Sequence, residues 1–146
     1  MRELKFRAWD EINDVMWKDV LGDMAESDMY DDVTEMWEVA HQMETGNSAQ
    51  FVFMQYTGNE DINGVEIYEG DILKCTSRIY TNLGATRTGE YEETIKQVIW
   101  KDDSWGTRVI SSNLTSKGAE KSGLVISAKY AEVIGNVWEN KDLLED

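Results

Sequence analysis

The chain has no proline, one cysteine, one histidine and no apolar run near the roughly 20 residues that a membrane-spanning helix needs. Cys75, being alone, cannot form an internal disulfide, which favours a reducing compartment. With His41 as the sole histidine, multi-histidine zinc centres are excluded and a Cys-His finger lacks ligands. The opening Met1-Arg2-Glu3-Leu4-Lys5 is too polar for a secretory signal, so the expectation is a protein that stays where it is made. Cations are scarce as well. Fourteen Lys plus Arg face 29 Asp plus Glu, a formal charge of −15, and the mean field repels phosphate backbones and anionic lipid. Nucleic acid and membrane surfaces are poor default partners. No phosphate-binding loop occurs either, because Gly84, Gly89, Gly118 and Gly123 lack the spacing and the following Lys-Ser or Lys-Thr.

What is present suits a folded domain. The 146 residues are 41% apolar and include six Trp, enough to build a core. With no Gly/Ser-rich linker and no repeat, one domain is expected over 1–146, divided into an N-terminal strand pair and helix (1–50) and a β region (51–146).

Residues 4–9 alternate, with Leu4, Phe6 and Ala8 on one face, and read as a strand. A polar turn follows, and 15–20 returns as its hairpin partner. From Ser27 the period changes. Met29, Val33, Met36, Trp37 and Ala40 recur at steps of three and four, so a helix is expected from about 28 to 44, with Ser27 as N-cap and Gly46 as stop. Its polar face would carry Asp28, Asp31, Asp32, Glu35 and Glu38. Further strands are expected at 51–56, 65–68, 71–76, 94–100, 107–111, 123–127 and 130–137, with a tight turn at Asn63-Gly64. The stretches 77–93 and 112–122 read as long polar tips or an extended hairpin. The second half therefore looks like a curled sheet or barrel.

Four blocks carry a family likeness: Lys5-Phe6-Arg7-Ala8-Trp9-Asp10; Met54-Gln55-Tyr56-Thr57-Gly58; Asn63-Gly64 with Glu66-Ile67-Tyr68-Glu69-Gly70-Asp71-Ile72; and Glu132-Val133-Ile134-Gly135-Asn136-Val137-Trp138-Glu139-Asn140 with Leu143-Leu144. In this order and spacing the chain resembles the YopX family of bacteriophage and prophage proteins. The resemblance implies a small phage-encoded protein of α+β architecture whose β part is an SH3-like barrel, resident in the cytoplasm of a bacterial host, with no catalytic residue or cofactor to carry over. Read from chemistry alone, Gly58, Gly64, Gly70 and Gly135 fall where strands turn or backbones approach, so Gln55, Tyr56, Thr57, Gly58, Asn63, Gly64, Gly70, Asp71, Gly135 and Asn136 are taken as determinants of the fold.

Reactive chemistry finds little support. Asn59, Asp61, Asn63 and Gly64 begin like a calcium loop, but position twelve is Gly70, Glu69 comes one place early, and Glu66 stands where an apolar residue is wanted. Cys75 and His41 with a nearby carboxylate would suit a nucleophilic dyad, but Cys75 sits inside an apolar strand pattern where a structural thiol is common. Among 29 acids, close carboxylate pairs arise by chance. Lys74, Arg78, Arg87, Lys96, Lys101 and Arg108 give the second half a weak basic bias, largely cancelled by acidic neighbours.

The expected fold is thus α+β, a strand-rich SH3-like barrel with an N-terminal strand pair and one acidic amphipathic helix. The expected function is a non-enzymatic accessory role exerted through an unidentified protein partner or self-association, without metal or cofactor. Two alternatives stand beside it: an acidic regulator that occupies a basic nucleic-acid-binding protein, and a barrel that binds nucleic acid itself. The candidate interaction face comprises Asp28, Asp31, Asp32, Glu35, Glu38 and Trp105, the last beside Gly106 on an expected turn.

Overall fold

A computed structural model describes residues 5–18, 20, 41–42, 45, 50–81, 86–113, 116–124 and 128–144, with backbone alone over 77–81 and 86–91. The contacts divide the chain into two units, Met1–Tyr56 and Thr57–Asp146.

In the first unit, β1 (Phe6–Asp10) turns back into β2 (Val15–Trp17), pairing Ala8 with Trp17 and Asp10 with Val15, as the alternation predicts. Asp14 closes the turn at φ 52°, a left-handed conformation that Asp tolerates better than most residues. The other edge of β1 pairs antiparallel with the start of β3 (Phe51–Glu60), from Phe6 opposite Gln55 to Asp10 opposite Phe51. Ala8, Trp17, Val20 and Phe51 form the buried cluster, flanked by Phe6, Val15 and Phe53.

Beyond Tyr56 the chain is almost all strand. The rest of β3 leads through the Asn63-Gly64 turn to β4 (Glu66–Tyr68). There follow β5 (Asp71–Thr81), β6 (Thr86–Lys101), β7 (Ser104–Ser112), β8 (Glu120–Ser122), β9 (Ala131–Asn136) and a 3-10 turn at Lys141–Leu144. One sheet runs β2-β1-β3-β4 and the other β8-β7-β6-β5-β9, and every pairing with a resolved register is antiparallel. Ile67, Leu73, Cys75, Val98, Leu124, Ala128 and Ala131 make the second unit's core, with Trp105 and Val133 against it.

Three expectations need correction. The sheet that should close into an SH3-like barrel is open, because β8 and β9 end the strand order at opposite edges instead of pairing. Length explains part of this: 77–93 is the extended form of the alternatives, a β5–β6 hairpin whose ladder runs from Ile72/Gln97 to Thr81/Thr86, longer than a small barrel wall. The α+β class is overturned too. No acidic amphipathic helix is seen among the described residues, which hold no helix of seven or more residues. Of the span 28–44, only His41 and Gln42 lie within them; these and Thr45 are helical, and the Thr45 hydroxyl donates to the His41 carbonyl at 3.0 Å. Such back-bonding is typical of helix margins. The strand expected at 123–127 gives way to β8 just before it, with Leu124 in a helical conformation and 125–127 outside the described residues.

Candidate functional site

The block residues that fall in the second unit surround a polar framework centred on Asp61, which lies just outside the blocks. Its Oδ1 accepts the backbone N–H groups of Asn63 at 2.8 Å and Val65 at 2.9 Å, and its Oδ2 accepts that of Val133 at 2.9 Å. The first two bonds shape the turn in which Gly64 takes φ 79°, and Gly64 N–H donates to the Asp61 carbonyl. The third reaches 72 residues along the chain to β9. Burial pushes the Asp61 carboxyl up, but the donors from Val133, Val65 and Asn63 outweigh it and hold the group below the ordinary carboxylate value. Of the residues that begin like a calcium loop, Asp61 turns both carboxylate oxygens to backbone N–H groups.

The block residues serve the backbone in the same way. Thr57 hydroxyl donates to the Ile67 carbonyl at 2.7 Å and accepts Asn59 N–H, tying β3 to β4 while Gly58 turns at φ 85°. Buried Asp71 accepts Tyr68 N–H at 2.8 Å across the Glu69-Gly70 turn. Gly70 donates to Val98 and accepts from Val137 through its backbone. Asn136 Oδ1 accepts Trp138 and Glu139 N–H, its amide donates to Glu139 Oε1, and its own N–H donates to Asn140 Oδ1. Asn140 lies so close over Gly135 that a Cβ there would collide with its side chain. In the first unit, Gln55 faces Phe6 in the ladder, and buried Tyr56 donates its N–H to Lys5, whose ammonium sits 5.6 Å from the phenol ring centroid. Asn63 is exposed at its turn.

Asp10 plays the corresponding part in the first unit. Fully buried, it accepts from Ile12 and Asn13 N–H, the Asn13 and Gln50 amides and the Trp17 indole. Burial raises its pKa and the donors from Asn13, Gln50 and Trp17 lower it further, leaving the group below its usual value.

The reactive candidates fall in different units. Cys75 is buried in β5 between Thr94 and Ala131, and burial pushes its thiol up despite the charge of Lys96. His41 is exposed in the first unit. Among the described residues no group of three or more His, Cys, Asp or Glu side chains could hold a metal ion, and no helix is long and apolar enough to cross a membrane.

Trp105 lies in β7, half-buried against the core, and meets Trp100 of β6 edge-on at 4.8 Å between centroids. Its indole N–H is buried without a hydrogen-bond partner, and the more exposed ring is Trp100, which sequence reasoning passed over. Of the basic residues, Arg108 and Lys101 converge on Glu120 at 2.8 and 3.5 Å, and Lys74 and Lys96 lie on β5 and β6. Asp28, Asp31, Asp32, Glu35 and Glu38 lie outside the described residues. Sequence reasoning also missed the roles of Asp61 and Asn140. The four-residue spacing of Asn136 and Asn140 was the available signal for the second.

The crystal structure of protein EF1440 from Enterococcus faecalis is similar to this chain, covering 99% of it and 100% of its own length, at 25% sequence identity and a TM-score of 0.51. No curated protein matches. The profile of the family described as YopX protein matches residues 5–145, taking in all four blocks and the framework they build. The chain belongs to the YopX family.

Proposed function

We propose that the chain is a phage or prophage accessory protein that works in the bacterial cytoplasm by contact with a protein partner and catalyses no reaction. The observation that supports this most is the use of the polar residues in and beside the blocks. Thr57, Asp61, Asp71 and Asn136 bond backbone groups of neighbouring turns and strands. A carboxylate satisfied by N–H donors is a poor general base, and a core thiol is a poor nucleophile. The test is affinity capture from host lysate with infected and uninfected controls, using the full chain. Stoichiometric retention of one protein species is expected. A clean blank in both lysates, together with a thermal shift produced by a small metabolite, would replace this reading with that of an enzyme or receptor.

A second reading rests on charge. From Asp10 to Glu44 the sequence holds twelve acids against Lys18 as the one Lys or Arg, a density suited to occupying a basic nucleic-acid-binding protein. It predicts capture that weakens with salt and on neutralising Asp28, Asp31, Asp32, Glu35 and Glu38. Capture indifferent to both would dismiss it.

A further inference from the structure

Little holds β8 to its sheet. Glu120, Lys121 and Ser122 are all exposed, so the strand supplies no side chain to the core. Its ladder pairs Gly106 with Ser122, Thr107 with Lys121 and Arg108 with Glu120. One more contact extends it: Val109 N–H donates to the Ala119 carbonyl and the Val109 carbonyl accepts Gly118 N–H, both at 2.8 Å. A glycine in the left-handed region stands at either end, Gly118 at φ 86° and Gly123 at φ 85°, each with open space where a Cβ would project. These are the points where the backbone is least restricted. A single side chain clasps the strand from outside. Glu120 Oε2 accepts from Arg108 Nε at 2.9 Å and lies 2.8 Å from an Arg108 terminal nitrogen, while its Oε1 takes Lys101 Nζ at 3.5 Å. Ion pairs so open to solvent hold weakly and are screened by salt.

We infer that β8 occupies, in place of a partner, a site on the outer edge of β7 that takes an extended acidic segment of another protein. This deepens the protein-contact reading and rests on it. The chain's own strand shows what the edge accepts. Gly106 lets a second backbone come close enough that a Cβ there would collide with the Lys121 carbonyl, a fit for an extended strand and not for a helix. Without β8, Val109 would present an unpaired N–H and carbonyl, which an added strand satisfies. Arg108 and Lys101 would lose the carboxylate between them, and so select a segment with Asp or Glu at the position of Glu120. Exchange of one strand for the other withdraws no β8 side chain from the core. The selection acts at contact distance, within the Debye length, where two cations already grip a carboxylate despite the net charge of −15.

The test uses the 15N-labelled full chain, its Glu120→Lys variant and two synthetic peptides copying residues 116–123, one unchanged and one with glutamine at the position of Glu120. Glu120→Lys sets like charges against Arg108 and Lys101 and should release β8. Amide exchange over 120–122 is expected to rise about tenfold, with β5 and β6 unchanged and the thermal midpoint near that of the parent. On this variant the unchanged peptide should dock in trans and shift the Thr107 and Val109 amide resonances. The glutamine peptide should bind about fivefold more weakly, and the parent chain should bind either less well because its tethered β8 competes. Failure of Glu120→Lys to fold, unaltered exchange over 120–122, or exchange in β5 and β6 that rises together with β8 would overturn the inference. So would equal binding of the two peptides or no shift from either. A concentration-dependent dimer of the parent chain that Glu120→Lys abolishes would make a second copy the occupant and overturn it as well. Each of these results leaves the protein-contact reading standing, since that is decided by capture from lysate.

Discussion

A carboxylate that bonds three backbone N–H groups is worth more to a fold than its own side chain suggests, because removing it leaves three donors to find partners. Asp61→Ala should lower unfolding free energy by roughly 3 kcal/mol, read from urea denaturation. Asp61→Asn should cost less, since its amide oxygen can still accept. The same bonds set an acid response. Asp61 and Asp10 both have native pKa values below the ordinary one, so their contribution is complete above the unfolded value of about 3.9 and is lost as pH falls through the lower native values. Stability should therefore decline below about pH 4, and the decline should be shallower in Asp61→Asn, which removes one titrating group. Gly135 makes a further residue-scale case. Asn140 Oδ1 cannot swing aside cheaply, being bonded to Asn136 N–H at 3.1 Å. Gly135→Ala should cost about 1–3 kcal/mol, and less when Asn140→Ala is already present, a coupling that a double-mutant cycle measures.

Among the elements, the strands announced themselves and their closure did not. Alternation and β-forming residues located β1, β3, β5, β6 and β7, and Asn63-Gly64 marked the turn into β4, because those signals are local. Whether a sheet closes depends on which edges meet, and no short window encodes that. Both edges of the five-stranded sheet are guarded. β8 is short, exposed and charged as Glu120-Lys121-Ser122, and the outer side of β9 bonds Ile62 N–H and the Asp61 carboxylate. Asp61 looked like a fragment of a calcium loop because oxygen ligands at alternate positions and an Asx-type turn share one sequence pattern. At this scale Gly106→Ala is informative, since its Cβ would collide with the Lys121 carbonyl of β8. Faster amide exchange over 120–122, with β5 and β6 unchanged, is the expected result.

For the molecule as a whole, charge and burial govern behaviour in solution. At −15 the folded chain repels itself, so adding sodium chloride should raise the thermal midpoint by screening, in contrast to a protein held by surface ion pairs. Cys75 should ignore a thiol reagent in the native state and react with it only in denaturant, because the group is buried and its thiol is held up. The bond from Asp61 to Val133 also bears on the order of events in folding. It joins positions 72 residues apart, so it forms only after β9 has docked, when most loop closure has already occurred. Its loss should leave the refolding rate nearly unchanged and speed unfolding, making this carboxylate a latch on the lifetime of the native state rather than a guide to reaching it.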